Sequence, residues 1–220
     1  MATLGSVSST STIYNGVGFP GYNYTTIYHK FIHNATPTGW NNRAGGQSSS
    51  FRTHSQSKCA AIRYATSTSS GTAAGLILGF MSFGSAGNPW FDCRIATVDS
   101  ANVRYYVGLR DANTTYNSAS DKYLMIKSTN GGAWTAICAN AGGAESSTSL
   151  TDSPSTGTLV NLSIRMNSTT SATFYINGVS KGTLSSNLPS SDIAPCIEVF
   201  TDTTSSKSID ICYLSAWQDL

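Results

Sequence analysis

Apolar and polar side chains alternate along many short segments of this chain. Residues 159–167 are a clear example, because Val160, Leu162, Ile164 and Met166 alternate with more polar neighbours. A period of two places successive side chains on opposite faces of a β-strand, so this segment predicts a strand with one buried face. Similar runs bounded by turn residues predict further strands at 58–65, 74–83, 90–98, 103–110, 122–128, 133–139, 172–176, 179–184, 196–201 and 208–217.

Two features indicate how these strands are connected. Asn177-Gly178 separates two of them and predicts a tight hairpin, because a type I′ turn needs positive φ at both central residues. The last strand has no fully polar face, with Ile209, Ile211, Tyr213 and Trp217 predicted on one side, so a central position in a sheet is expected. A strand that is last in sequence but central in space pairs with distant strands. The predicted fold is therefore all-β: a two-sheet antiparallel β-sandwich of the jelly-roll type.

The first fifty residues differ in composition from the rest, with a Ser/Thr/Gly-rich N-terminal segment followed by a cluster of aromatic residues. They predict an N-terminal arm, residues 1–50, that serves for attachment or oligomerisation and precedes a sandwich at residues 51–220. The alternative is that Thr25–His33 forms the first strand of the sandwich. The sequence leaves both interpretations open.

Composition narrows the functional classes. Ser and Thr make up 62 of the 220 residues, charged residues only 11%, and the formal net charge is +2. So small and scattered a charge argues against nucleic-acid binding. No apolar run approaches the roughly 20 residues that span a bilayer, and the N-terminus lacks the features of a secretory signal. Five cysteines without a CxxC pair suggest buried thiols, with Cys93 on the apolar side of its strand.

The C-terminal half resembles a known family. The segments LVNLSIRMNSTTSATFYINGVSKGTLSSNLP, APCIEVF and SIDICYLSAW are similar to the end of concanavalin A-like jelly-roll domains, in particular the lectin- and laminin-G-like domains of tailed-phage virion structural proteins. The resemblance implies a virion-surface protein, either a capsid decoration or a tail fibre or spike. It also implies assembly in the host cytoplasm, a homo-oligomer that is usually a trimer, and a major capsid or tail protein as partner.

Some concanavalin A-like proteins are glycoside hydrolases, whose chemistry needs two carboxylates at close spacing. Such enzymes carry a Glu-x-Asp-x-x-Glu strand, whereas this chain has only Glu145 and Glu198, far apart and outside that pattern. Asp92, Asp202 and Asp210 offer a weaker alternative set. The sequence therefore predicts a protein that is not an enzyme.

A lectin-like, carbohydrate-binding module is the alternative function. Sugar recognition needs an exposed aromatic ring and a few polar groups, and the pairs Trp40 with Asn41 and Tyr116 with Asn117 provide them in loop-like settings. Trp90 beside Asn88 is a further candidate, although it begins a predicted strand. No cofactor is expected. In lectin-like folds a structural calcium ion is conceivable, and Asp111 and Asn113 are its candidate ligands.

Overall fold

The computed structural model of the protein is an all-β structure. It describes residues 12–15, 24–30, 40–42, 48–54, 59–78, 83–111, 121–141, 144–190 and 193–219. Within these ranges the strands are β1 (Thr12–Asn15), β2 (Tyr24–Lys30), β3 (Trp40–Asn42), β4 (Ser48–His54), β5 (Cys59–Ala65), β6 (Ala73–Leu78), β7 (Trp90–Thr97), β8 (Val103–Arg110), β9 (Tyr123–Thr129), β10 (Thr135–Ala139), β11 (Ser146–Ser149), β12 (Leu159–Ser168), β13 (Ser171–Ile176), β14 (Val179–Leu184), β15 (Ala194–Thr201) and β16 (Ser208–Asp219). One short 3-10 turn, Ser85–Gly87, precedes β7.

The described strands form two antiparallel sheets. Sheet I runs in the order β1-β2-β16-β7-β12-β13-β14, with β5 also paired to β16 and β4 paired to β5. Sheet II runs β11-β10-β9-β8-β15-β6-β3. Several neighbours are far apart in sequence, such as β8 with β15 and β7 with β16. The predicted two-sheet antiparallel β-sandwich is confirmed.

The main hydrophobic core lies between the two sheets. Strand β12 directs Leu162, Ile164 and Met166 into it, as the alternation predicts, and all three are fully buried. Sheet II contributes residues such as Val107 and Ile197 to the same cluster. Burying each side chain of this size stabilises the fold by about 1.5–3 kcal/mol, so this interface holds the sheets together.

The predicted hairpin is also confirmed. Strands β13 and β14 pair antiparallel, with Ile176 opposite Val179. The two residues between them both have positive φ, 51° at Asn177 and 78° at Gly178. The Asn-Gly pair therefore forms the turn that its sequence favours.

Strand β16 is central in sheet I as predicted, since it lies between β2 and β7. The predicted division of its faces is wrong beyond Ile211. The register with β7 shifts between Ile211 and Tyr213, so Cys212 is an extra residue in the ladder. Beyond this bulge Leu214 is fully buried, whereas Tyr213 and Trp217 are only partly buried. A bulge inserts one residue and thereby exchanges the two faces of the strand that follows.

Strands from the first fifty residues belong to both sheets. β2 pairs with β16 in sheet I, and β3 pairs with β6 in sheet II. β4 spans residue 50 and pairs with β5. The division into a segment 1–50 and a sandwich 51–220 stays a prediction. Among the described residues, none forms a helix of the length and apolar character needed to cross a membrane.

Candidate functional site

Sheet II carries a second buried cluster on its outer face, the side turned away from the main core. Because side chains alternate along a strand, the neighbours of core residues on β6, β8, β9, β10 and β15 point to this side. None of the cluster members is more than 7% exposed. They are Ala73, Ile77, Tyr106, Met125, Ile137, Cys196 and Phe200, with Tyr123 packed against them.

An ion pair lies in the middle of this apolar layer. Arg110 Nη1 donates a hydrogen bond of 2.9 Å to Glu198 Oε2, and the two side chains are 1% and 0% exposed. The Cys196 thiol donates to the same carboxylate oxygen at 3.4 Å. Charged side chains are rarely buried to this extent, because removing them from water is costly unless they are paired. The pair is therefore a fixed polar centre in an apolar face.

Gly108 lies on β8 between Tyr106 and Arg110 in the outer-face row, opposite Cys196 of β15. Gly108 has φ 149°, and a Cβ there would lie 2.5 Å from the carbonyl oxygen of Leu124. No other residue fits at this position without moving the backbone.

A second acidic residue acts on the same guanidinium. Burial by itself lowers the pKa of Arg110, but the acidic neighbours Cys196, Glu198 and Asp121 outweigh burial and raise it. Asp121 is 4% exposed. The fold thus brings two carboxyl groups that are far apart in sequence into the electrostatic range of one arginine.

The outer face of sheet II becomes polar and accessible toward β9 and the residues before β11. Tyr123 donates its hydroxyl to Glu145 Oε2 at 2.8 Å, and Lys127 Nζ lies 3.5 Å from Glu145 Oε1. The side chains of Lys127 and Glu145 are 29% and 34% exposed. We call Tyr123, Lys127 and Glu145 the Glu145 cluster. Tyr123 and Lys127 lie opposite Arg110 and Tyr106 of β8, so the cluster shares its face with the buried ion pair.

The predicted sugar-binding residues are only partly described by the structure. Trp40 and Asn41 belong to β3 at the edge of sheet II, where Asn41 lies opposite Ile77 of β6. Tyr116 and Asn117 lie outside the described residues. Their predicted role stays a prediction.

The predicted calcium ligands are likewise only partly described by the structure. Asp111 follows β8 directly, and its backbone N–H donates to the carbonyl of Lys122 at 2.8 Å. Asn113 lies outside the described residues. Within the described ranges, no group of three or more His, Cys, Asp or Glu side chains is arranged to hold a metal ion.

Trp90 lies on the outer face of sheet I, in a row of stacked rings. Its ring stacks on Trp217 at 5.2 Å and on Tyr175 at 5.9 Å, with interplanar angles of 11° and 16°. The Arg165 guanidinium lies 5.3 Å from the Trp90 ring centre. Because a sugar stacks on a free ring face, Trp90 is poorly placed for this role.

The aspartates considered as alternative acids are all engaged in hydrogen bonds. Asp210 is 1% exposed, and its two oxygens accept bonds of 2.6 and 2.8 Å. Asp92 accepts two bonds, of 2.6 and 2.7 Å. These contacts support a structural role for each carboxylate. The donors are Arg63 for Asp210, Ser163 and Tyr213 for Asp92, and Arg104 for Asp202.

Comparison with solved structures identifies the fold. A Shewanella oneidensis protein of unknown function matches with a TM-score of 0.63 at 14% identity, over 94% of this chain and 91% of that one. A Bacillus licheniformis β-glucanase matches with a TM-score of 0.61 at 11% identity, over 87% and 97% of the two chains. The Emp47p carbohydrate recognition domain gives the same score and identity, over 87% and 94%. No protein-family model matches the chain, and no curated protein matches it in sequence.

Identities this low show the fold alone. The protein is a concanavalin A-like jelly-roll β-sandwich, as the C-terminal resemblance implied. The structures that share the fold include a carbohydrate recognition domain and enzymes that act on glycans. The phage virion setting stays a prediction.

The prediction that the chain is not an enzyme is contradicted. Besides the β-glucanase, the matches include alginate lyase A1-II′, with a TM-score of 0.54 at 13% identity, and a glycosidic hydrolase, with a TM-score of 0.63 at 11% identity. The exclusion depended on the missing Glu-x-Asp-x-x-Glu strand. Sequence spacing is a poor guide here, because Glu198 and Asp121 both act electrostatically on Arg110 although 77 positions of the chain separate them.

Proposed function

We propose that this protein binds a neutral polysaccharide on the outer face of sheet II, with the Glu145 cluster as its contact surface. The observation that carries the proposal is the cluster itself, in which a half-buried tyrosine lies beside an ammonium group and a carboxylate. Such a combination offers an apolar ring together with donors and acceptors for sugar hydroxyls. Hydroxyl side chains of Thr135, Ser147 and Ser149 occupy neighbouring register positions on β10 and β11.

The buried ion pair supports this surface from the adjacent strands. Binding surfaces work best when their polar groups are held in place before the ligand arrives. Arg110 and Glu198 fix the centre of the face, while Tyr123 pairs with Arg110 in the β8–β9 register. Rigid strands on both sides of the contact residues keep the cost of ordering low.

Charge favours a neutral polymer over an anionic one. Around the outer face of sheet II, the cations Arg104, Arg110 and Lys127 are outnumbered by four carboxylates, those of Glu145, Glu198, Asp121 and Asp202. This slight excess of negative charge disfavours polyuronic acids such as alginate. Uncharged chains such as β-glucans meet no such repulsion.

The test is binding of a β-glucan and of alginate by affinity gel electrophoresis and calorimetry. We expect retardation by the β-glucan but not by alginate, and a loss of at least tenfold in affinity for Tyr123→Ala and Glu145→Gln. Asp202→Asn is the matched control, because the Asp202 side chain is about as exposed as that of Glu145 and also belongs to an ion pair. Absence of binding to any neutral polysaccharide, or equal affinities in Glu145→Gln and Asp202→Asn, would refute the proposal.

Cleavage of the bound polysaccharide is a second candidate function. The observation that favours it is that Glu198 and Asp121 both act electrostatically on Arg110, since glycoside hydrolysis uses two carboxyl groups. The measurement is release of reducing ends from the polymer that binds. Turnover that disappears in both Glu198→Gln and Asp121→Asn, under conditions where circular dichroism shows both variants folded, supports the candidate, and turnover that survives in both folded variants rejects it.

A virion-surface role, as capsid decoration or tail appendage, rests on the C-terminal resemblance. It is compatible with glycan binding. Light scattering on the purified chain tests the expected trimer, and co-sedimentation with assembled capsids or tails tests the partner. A monomer that binds neither would count against this role.

A further inference from the structure

A cavity of about 300 Å³ lies at one end of the sandwich. It is open to solvent and is lined by Trp134 just before β10, by the connection between β11 and β12 with the start of β12, and by the end of β13 with the turn that follows it. None of its lining residues belongs to the Glu145 cluster or to the ion pair. The cavity is therefore separate from the proposed polysaccharide surface.

The lining combines apolar and polar residues. The apolar ones include Trp134, which is 1% exposed, Pro154 and Ile176. The polar ones are Asp152, Ser153, Ser155, Thr158 and Asn177. A ligand that has both an apolar face and hydroxyl groups matches this combination.

Backbone hydrogen bonds tie Leu150 and Asp152 to Trp134. The backbone N–H of Trp134 donates to the carbonyl oxygen of Asp152 at 2.7 Å, and the Trp134 carbonyl oxygen accepts from the backbone N–H of Leu150 at 2.8 Å. Between these two anchors, Thr151 has φ 67°. A β-branched residue rarely adopts this left-handed conformation, and such strain persists only where the surrounding structure enforces it. This part of the cavity wall therefore has a fixed backbone conformation before any ligand binds.

The charge and volume of the cavity limit the class of ligand that fits it. Asp152 Oδ2 lies 2.9 Å from Lys181 Nζ, so the one carboxylate of the lining is already compensated. The volume is at the lower end of the roughly 300–1,000 Å³ typical of ligand pockets, which suits a single ring. We infer that this cavity is a binding site for one neutral pyranose sugar, free or at the end of a glycan. The inference goes beyond the polysaccharide surface and does not depend on it.

Titration with glucose, mannose and galactose, followed by calorimetry and tryptophan fluorescence, tests the inference. We expect at least one neutral hexose to bind with a millimolar Kd. Ser153→Phe should abolish binding by filling the cavity. Ser205→Phe is the control, because Ser205 is equally an exposed loop serine but lies outside the lining.

Two further variants keep the outcome interpretable. Asp152→Asn should weaken hexose binding at least fivefold, whereas Glu145→Gln should leave it unchanged while weakening polysaccharide binding. The inference is overturned if no neutral hexose binds at tens of millimolar, or if Ser153→Phe binds like the unmodified protein. Failure of polysaccharide binding alone would refute only the proposal for sheet II.

Discussion

Replacing Glu198 by Gln would leave the Arg110 guanidinium charged in an apolar layer. The two side chains are 1% exposed or less and share a bond of 2.9 Å. Removing one member of a buried ion pair costs about 3–5 kcal/mol, because the remaining charge loses its partner but not its burial. Against a typical total stability of about 5–15 kcal/mol, this is a large fraction.

The assay is urea unfolding followed by tryptophan fluorescence. With a slope of about 2 kcal/mol per molar urea, the expected loss lowers the midpoint by about 1.5–2.5 M. Arg110→Met should show a similar loss. The double variant Arg110→Met/Glu198→Leu should recover most of it, since both charges are then absent. Asp121 also acts on Arg110, so the recovery need not be complete.

The accessible ion pair on the same sheet gives the control. Arg104 and Asp202 are 23% and 36% exposed, and solvent screens their attraction. Arg104→Met should therefore cost at most about 1 kcal/mol. Losses within that range for both Glu198→Gln and Arg110→Met, or losses that simply add in the double variant, would refute the cost assigned to the buried pair.

Three further predictions concern the backbone, the tyrosines and the thiols. Gly108→Ala should lower the free energy of unfolding, measured by urea, by at least about 2 kcal/mol, because φ is 149° and the added Cβ would lie 2.5 Å from the Leu124 carbonyl oxygen. Gly84→Ala should change the free energy of unfolding little, because no atom lies within 4 Å of a Cβ at that position. Burial raises the pKa of Tyr105, so its neutral phenol contributes stability below about pH 10 that is lost as the pH rises further. Above about pH 10 the urea midpoint of Tyr105→Phe should therefore fall less steeply with pH than that of the wild type. Equal slopes would contradict this. Burial raises the pKa of Cys138 to about 12 and that of Cys93 well above its ordinary value. A disulfide reagent at about pH 8 should therefore leave both thiols unmodified in the native protein and modify both after denaturation. Labelling of either thiol in the native state, located by mass spectrometry, would contradict the structure.

The strands were predictable where β-prone or alternating runs are bounded by turn residues. β8 and β14 have the bounds expected from sequence, Val103–Arg110 and Val179–Leu184. β11, Ser146–Ser149, was not predicted, because the sequence SSTS has no apolar face to indicate a strand. It forms at the edge of sheet II by pairing with β10, so its presence depends on backbone hydrogen bonds and not on a side-chain pattern.

The candidate site was less predictable than the fold. Arg110 and Glu198 are 88 residues apart and meet only because β8 and β15 are neighbours in sheet II. One signal was present in the sequence. Because side chains alternate along a strand, the sequence of β15 already puts Glu198 on the same face as the apolar residues Cys196 and Phe200. What the sequence alone could not supply was the strand order that brings Arg110 beside it.

The position of Glu198 is informative because strand β15 is buried on both faces. All eight residues from Ala194 to Thr201 are buried, so this strand offers no solvent-facing side where a glutamate is expected. A hydrophobic pair in place of a buried ion pair is often equally stable or more so, and stability alone therefore does not explain why Arg110 and Glu198 are present. If Arg110→Met/Glu198→Leu folds as stably as wild type but no longer binds polysaccharide, the ion pair serves the surface formed by the Glu145 cluster. If both stability and binding are retained, the pair has no role in recognition, and the contact surface is confined to the exposed cluster.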